Sequence, residues 1–229
     1  MNEAMNTPVR SSSSSLLVFM PVFITVFLIT SIIATAITFI LPESYASTCR
    51  IKVEQDATLT AGAIAYDPQF LQTTFELIQS QLVLGRAVDR LNLNVEWGKK
   101  YFNGELLKTS ETLQILKGRL SLADVRGTKL IAITVYSDDR NEAARVANAV
   151  ADAYRDYRVE TAAQTGDAAR MKAAETAVIV TDKAEPGMQP VKPNKPVNIA
   201  LGMVCGIVFG SVAGFVVVIF TGWLRKRAA

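Results

Sequence analysis

The chain has 229 residues, half of them hydrophobic, with 24 basic and 21 acidic side chains for a formal charge of +3, and no histidine. That length holds one ordinary domain plus membrane segments. The missing histidine removes the commonest general base and metal ligand, and with them any serine–histidine or cysteine–histidine nucleophile.

The first element is an uncharged run, LLVFMPVFITVFLITSIIATAITFIL, from Leu16 to Leu41. About 20 apolar residues span a bilayer core, so the run is long enough to cross with some tilt. Ser44 and Ala46 stand in the relation a signal peptidase would want. The apolar run is about twice a signal h-region, however, so retention as an anchor is the expectation.

After it, Thr48 to Gln55 alternates as a half-buried strand, with Ile51 and Val53 inward. Asp67-Pro68 reads as a cap followed by proline at the first helical position, with Phe70, Leu71, Thr74, Phe75 and Ile78 on one face. Ser80 opens a second helix carrying Leu82, Val83, Ala87, Val88 and Leu91. Asn92 to Gly104 reads as polar and turn-rich, and a short helix follows from about Ser110 to Leu116. Arg119–Val125 and Lys129–Ser137 form a hairpin through Arg126-Gly127-Thr128, where Gly127 is free to take a positive φ. The second arm, KLIAITVYS, is apolar enough to be a central strand. Asp139 and Glu142 make a capping-box-like start to a helix whose apolar positions run from Ala143 to Tyr157 and end near Ala163. A simple connection, QTGDAARMKAAE, leads to a last strand at Thr176–Thr181. The fold class is therefore α+β: a mixed four-stranded sheet with helices on one face, flanked by a hairpin of two transmembrane helices.

The exit carries two further features. Pro190, Pro193 and Pro196 recur every third residue, the period of a polyproline II rod. Such a rod acts as a stiff spacer, or it packs against the base of the domain or the first span and couples the two; the sequence leaves both open. A second uncharged run, Asn198 to Leu224, contains Gly202, Gly206, Gly210 and Gly214 at strict four-residue spacing. That spacing forms a smooth groove for helix packing, within the hairpin or between subunits. Ser31, Ala34, Thr35 and Thr38 offer a matching small face on the first run.

Arg10 precedes the first run, and Arg225, Lys226 and Arg227 follow the second with no acid nearby. The excess of cytoplasmic Lys and Arg places both termini inside. Setting those four aside from the 24 basic residues leaves 20, and setting Glu3 aside from the 21 acids leaves 20, so the middle is neutral. The net charge is a topology signal and gives no reason to expect a nucleic-acid partner. The expected segments are a cytoplasmic tail at 1–15, spans at 16–41 and 198–224, a periplasmic α+β domain at 42–185, a proline-rich segment at 186–197 and a cytoplasmic tail at 225–229.

Chemistry is not expected. There is no phosphate-binding loop, since Gly98-Lys99-Lys100 lacks the leading glycine and the hydroxyl. Asp138 and Asp139 are better read as helix-start acids than as a catalytic pair. Cys49 and Cys205 are too far apart in the topology to staple one another, and read as small packing residues. No catalytic residue, metal site or cofactor is expected.

The order of these features resembles the polysaccharide co-polymerases, the chain length determinant proteins of the Wzz type. The resemblance rests on the first span and the strand after LPESYAST, on IQSQLVLGRAVDRLNL, and on KLIAITVYS running into NEAARVANAVADAYRDYR. Its most specific part is AVIVTDKAEPGMQPVKPNKP feeding a glycine-laddered span. The family's proline-rich and glycine-containing motifs carry over to Pro190, Pro193 and Pro196 and to Gly202, Gly206, Gly210 and Gly214. The resemblance implies an inner-membrane protein that assembles with itself into a ring. It also implies control of the length of lipopolysaccharide O antigen, capsule or exopolysaccharide beside the polymerase and export machinery. Membrane lipids are the remaining expected partner.

The sequence departs from longer members in lacking the extension that builds a tall helical stalk. With no tyrosine beyond Tyr157, a fused autophosphorylating kinase is not expected. Two alternatives accompany this reading. One is an adaptor for a separate cytoplasmic tyrosine kinase, for which the tail TGWLRKRAA is short. The other is an extracytoplasmic sensor, which would want a signalling domain on the cytoplasmic side.

Overall fold

A computed structural model of the chain describes residues 13–54, 68–164, 166 and 168–227. Two compact units emerge, one formed by the two ends of the chain and one by Glu43–Val191. Arg10, Asp67 and Gln55 lie outside the described residues, as do the side chains of Arg225 and Lys226.

The first unit is a pair of helices, α1 (Ser13–Ile40) and the last helix, α8 (Lys195–Arg227). Leu16–Ile40 and Lys195–Leu224 are long and apolar enough to cross a membrane. At 1.5 Å per residue they reach about 38 and 45 Å, against a core of about 30 Å. Pro196 sits in the first turn of α8, where a missing N–H costs nothing. Ahead of it Asn194 caps the helix, its side chain accepting from the Val197 amide at 3.4 Å.

The second unit carries β1 (Tyr45–Val53), α2 (Pro68–Ile78), α3 (Gln81–Leu91), α4 (Leu93–Tyr101), α5 (Thr109–Arg119), β2 (Leu120–Asp124) and β3 (Leu130–Ser137). Then come α6 (Arg140–Ala163), α7 (Ala168–Ala177) and β4 (Val178–Asp182). The sheet order is β2-β3-β1-β4. This is the split β-α-β-β-α-β arrangement. Every pairing is antiparallel, which corrects the expected mixed sheet. Alternating strands and helices normally give parallel neighbours. Here β3 and β4 do run the same way, but β1 lies between them and separates the crossover pair.

One face of the sheet is sealed. Along β3, Ile131, Ile133, Val135 and Ser137 are buried while their neighbours are half-exposed, the alternation of an antiparallel sheet covered on one side. Cys49, Ile51 and Val53 of β1 join them. Over this face lies α6, contributing Ala143, Val146, Ala147, Val150, Ala153 and Tyr154. Its many alanines let helix and sheet approach closely, and α3 then packs on α6 through Val83, Leu84, Ala87 and Val88.

Two helices differ from the sequence expectation. Where a turn-rich stretch was expected, α4 forms, because Leu93 and Trp97 are spaced i, i+4 and both are buried. Asn92, with φ 51°, ends α3 and redirects the chain into it. In place of a simple connection, the residues after α6 turn at Gly166 and fold back as α7. This alanine-rich segment has high helix propensity but little apolar periodicity. Its last residues, Thr176 and Ala177, were expected to begin β4. The hairpin expectation is met: β2 and β3 pair, and Gly127 has φ 72°.

Candidate functional site

Three constructions stand out: a seam between α1 and α8, a strapped exit segment, and a polar lock at the start of α6.

The seam is built on the glycine ladder. A Cβ placed on Gly202 would stand 2.5 Å from the Ala34 Cβ, and one on Gly206 would stand 3.0 Å from the Phe27 ring and 3.3 Å from Ser31 Oγ. On Gly210 it would meet the Phe23 ring and carbonyl at 3.0 Å, and on Gly214 the Phe19 ring at 2.5 Å. Rising glycine numbers meet falling α1 numbers, so the helices are antiparallel. Without Cβ atoms, the α8 backbone presents a groove into which the facing side chains fit, and dispersion contacts close it. Phe19, Phe23 and Phe27 stack at centroid separations of 5.9 and 6.1 Å, and Phe215 meets Phe19 edge-on at 5.3 Å.

These phenylalanines escaped the sequence reading, which sought a small face opposite the ladder. Their four-residue spacing was the available signal. Small meets small only at Ala34 and Ser31. Thr35 and Thr38 bond back to the carbonyls of Ser31 and Ala34 at 2.8 and 2.7 Å, satisfying their hydroxyls within the helix. At one end of α8, Lys195 lies over the Phe39 ring at 5.4 Å; at the other, Arg227 lies over Trp223 at 4.1 Å. Aromatic–cation pairs of this kind suit a membrane–water boundary.

The exit segment is not a free spacer within its unit. After β4, Asn148 on α6 clamps Ala184 twice: the Ala184 amide donates to Oδ1 at 2.8 Å, and Nδ2 donates to the Ala184 carbonyl at 3.0 Å. Gly187 packs so tightly on β1 that a Cβ would lie 2.7 Å from the Ala46 carbonyl oxygen. The Val191 amide then donates to the Ser44 carbonyl at 2.8 Å. Residues 184–191 thus continue antiparallel along the first half of β1, carrying Pro190 with them. The Lys192–Pro193 peptide is cis.

The lock centres on Glu142, whose side chain is 3% exposed. Its Oε1 accepts from Trp97 Nε1 at 2.6 Å and from Arg119 at 3.3 Å, and its Oε2 from Lys100 at 2.7 Å. The expected capping-box role is therefore not what Glu142 does. Asp139 alone caps α6, accepting from the Asn141 amide at 2.8 Å. Lys100 and Tyr101 also donate to Asp138, at 2.6 and 2.5 Å. The Arg119 guanidinium lies over both Trp97 and Tyr101, at 4.8 and 4.7 Å. Side chains from α4 and α5 are thereby fastened to the start of α6. Buried charge is tolerated there because each oxygen of Glu142 is bonded.

Partial burial disfavours the charged form of Asp138, but bonds from Lys100 and Tyr101 outweigh it and hold the carboxyl at about 2. Burial likewise opposes charge on Lys100, and its bonds to Asp138, Glu142 and Tyr101 win, raising it above its usual value. An unfolded aspartate titrates near 3.9. The Asp138 contribution is thus fully present above about pH 4 and is lost as pH falls toward about 2. The Lys100 contribution is present below its unfolded value and is lost only in strong alkali. In acid titrations followed by circular dichroism, Asp138→Asn is expected to flatten the stability loss between pH 4 and 2. An unchanged acid limb would contradict this assignment.

No catalytic centre is built from these parts. Among the described residues, no group of three or more His, Cys, Asp or Glu is placed to hold a metal. Burial pushes the Cys49 thiol up to about 11, where it is a core atom and a poor nucleophile. A shallow depression is lined by Arg86, Arg155, Asp156, Val159, Glu160 and Glu175. Its cations are met by its own acids, Arg86 by Glu160 and Arg155 by Asp156 at 3.8 Å.

The class this defines is an α+β domain carried between two helices fit to cross a membrane. Residues 17–91 match the Wzz family model, described as chain length determinant protein. That stretch takes in most of α1 and all of β1, α2 and α3. The match is consistent with a Wzz-type polysaccharide co-polymerase and supports the resemblance read from the sequence. No curated protein matches the chain.

Proposed function

We propose that the chain is a non-enzymatic polysaccharide co-polymerase. In this reading it oligomerises in the inner membrane, with both termini cytoplasmic and the α+β unit periplasmic. It regulates the chain length, assembly or export of lipopolysaccharide O antigen, capsule or exopolysaccharide, beside the polymerase and export machinery. The observation that carries this is the family match over residues 17–91, which covers the first apolar helix together with the entry into the domain.

The geometry fits a scaffold better than a catalyst. Its polar network fastens helices together, and its glycine seam fastens the two apolar helices. A protein that works by presenting partners around a shared axis needs a stable domain and a stable pair of apolar helices, and no reacting group. Stalk height is not part of this mechanism, since α6 runs 24 residues and returns directly through α7. Arg225, Lys226 and Arg227 would meet the anionic cytoplasmic leaflet. Deleting the gene and separating the surface polysaccharide on a gel tests the proposal: the length distribution is expected to change, and an unchanged ladder in unchanged amount would refute it.

A further inference from the structure

We propose that the tip of the exit segment, Met188 with Val191, is a lipid-contacting anchor seated at the headgroup–acyl boundary of an anionic bilayer. This rests on reading α1 and α8 as membrane spans.

Met188 is 93% exposed and Val191 47% exposed. Single exposed apolar residues are ordinary on protein surfaces. What sets these apart is the way their segment is held. The two bonds between Asn148 and Ala184, the close seat of Gly187 on Ala46, and the Val191–Ser44 bond fix the backbone on both sides of the tip. Fastened so on both sides, the loop holds Met188 out from the domain surface.

Chain connectivity then limits how far from the membrane the tip can lie. Val191 precedes the first residue of α8 by four positions, and its bonding partner Ser44 follows the last residue of α1 by four. Four residues reach at most about 14 Å, and the seven from Met188 to Lys195 about 25 Å. The Val191 end of the exit segment is thus joined by two short tethers to the ends of the two apolar helices.

Composition agrees with a lipid neighbour. From Pro186 to Val197 the sequence PGMQPVKPNKPV has no acid and two lysines, Lys192 and Lys195. Anionic headgroups attract such a segment. Methionine is unbranched and flexible, and adapts to an irregular acyl boundary. A second copy of the chain or another protein would instead bury the tip away from both water and lipid.

The test uses the full chain in vesicles of phosphatidylcholine and phosphatidylglycerol, with Cys205→Ala and with Cys49 retained, since it is fully buried. Nitroxide labels are placed singly at Met188→Cys, Gln189→Cys and Val212→Cys. Collision with oxygen, which concentrates in lipid, is compared with collision with a water-soluble nickel chelate. The oxygen-to-nickel ratio is expected to be higher at 188 than at 189, and to fall at 188 in vesicles lacking phosphatidylglycerol. A ratio at 188 no higher than at 189 would overturn the proposal. So would protection from both reagents, which would assign the tip to a protein contact. Val212 lies mid-helix on α8 and separates the two levels of failure. If it is oxygen-rich while 188 is not, only the anchor is wrong; if it is open to nickel, the membrane reading itself fails.

Discussion

Replacing Glu142 with alanine is expected to lower the stability of the α+β unit by about 3 kcal/mol, the range for breaking a buried, hydrogen-bonded charge pair. The substitution strands the Trp97 indole N–H in the core, and an unsatisfied buried donor alone costs about 1–3 kcal/mol. It also removes the buried acid that pairs with both Lys100 and Arg119. Lys100 keeps Asp138, and Arg119 keeps Tyr101, which limits the loss. Thermal unfolding should therefore fall by roughly 10 °C for a unit of this size. Glu142→Gln separates the two contributions, because its amide oxygen can still accept from Trp97. It is expected to fall between wild type and alanine. If glutamine is as damaging as alanine, the charge matters and the indole bond does not. If alanine is harmless, the lock does not hold α4 and α5 on α6.

The second large effect is expected in the seam. Leucine at Gly206 and Gly210 would drive branched side chains into Phe27, Phe23 and their carbonyls, which stand 3.0–3.2 Å from where a Cβ alone would sit. Overpacking of this kind costs about 1–3 kcal/mol per site, and α1 and α8 should separate. Nitroxide labels at Ile29→Cys and Val208→Cys, both on exposed positions of their helices and in a chain with Cys205→Ala, report the result. With labelled chains diluted into unlabelled ones, the distance between the two labels should be short and well defined in the parent and longer or broad in the double leucine variant. An unchanged distance in that variant would contradict the seam.

Much of this was legible in the sequence because strong local signals agreed with the final packing. KLIAITVYS forms an interior strand, the glycine after Arg126 turns the hairpin, and the Ala/Val/Tyr periodicity after Asp139 forms the central helix. What stayed hidden was set by tertiary context. The turn-rich look of Asn92–Gly104 masks a helix whose reason is two buried side chains, Leu93 and Trp97. The segment forming α7 is helical by alanine propensity, with no apolar stripe to announce it. Strand direction was hidden too, since nothing in β1 says that it will insert between β3 and β4. Glu142 stood in a capping pattern, and only the three-dimensional approach of Trp97, Lys100 and Arg119 gives it a different task. In the seam, attention to small residues concealed the phenylalanine ladder that the glycines accommodate.

The central claim is that this chain governs polysaccharide length without reacting with the sugar. Its most direct test is to restore the gene, on a plasmid with graded expression, to a strain from which it has been deleted. The surface polysaccharide is then separated by size. The account predicts that the modal length lost on deletion returns with the wild-type chain and fails to return with the double leucine seam variant. A size distribution that stays the same at every expression level would contradict it.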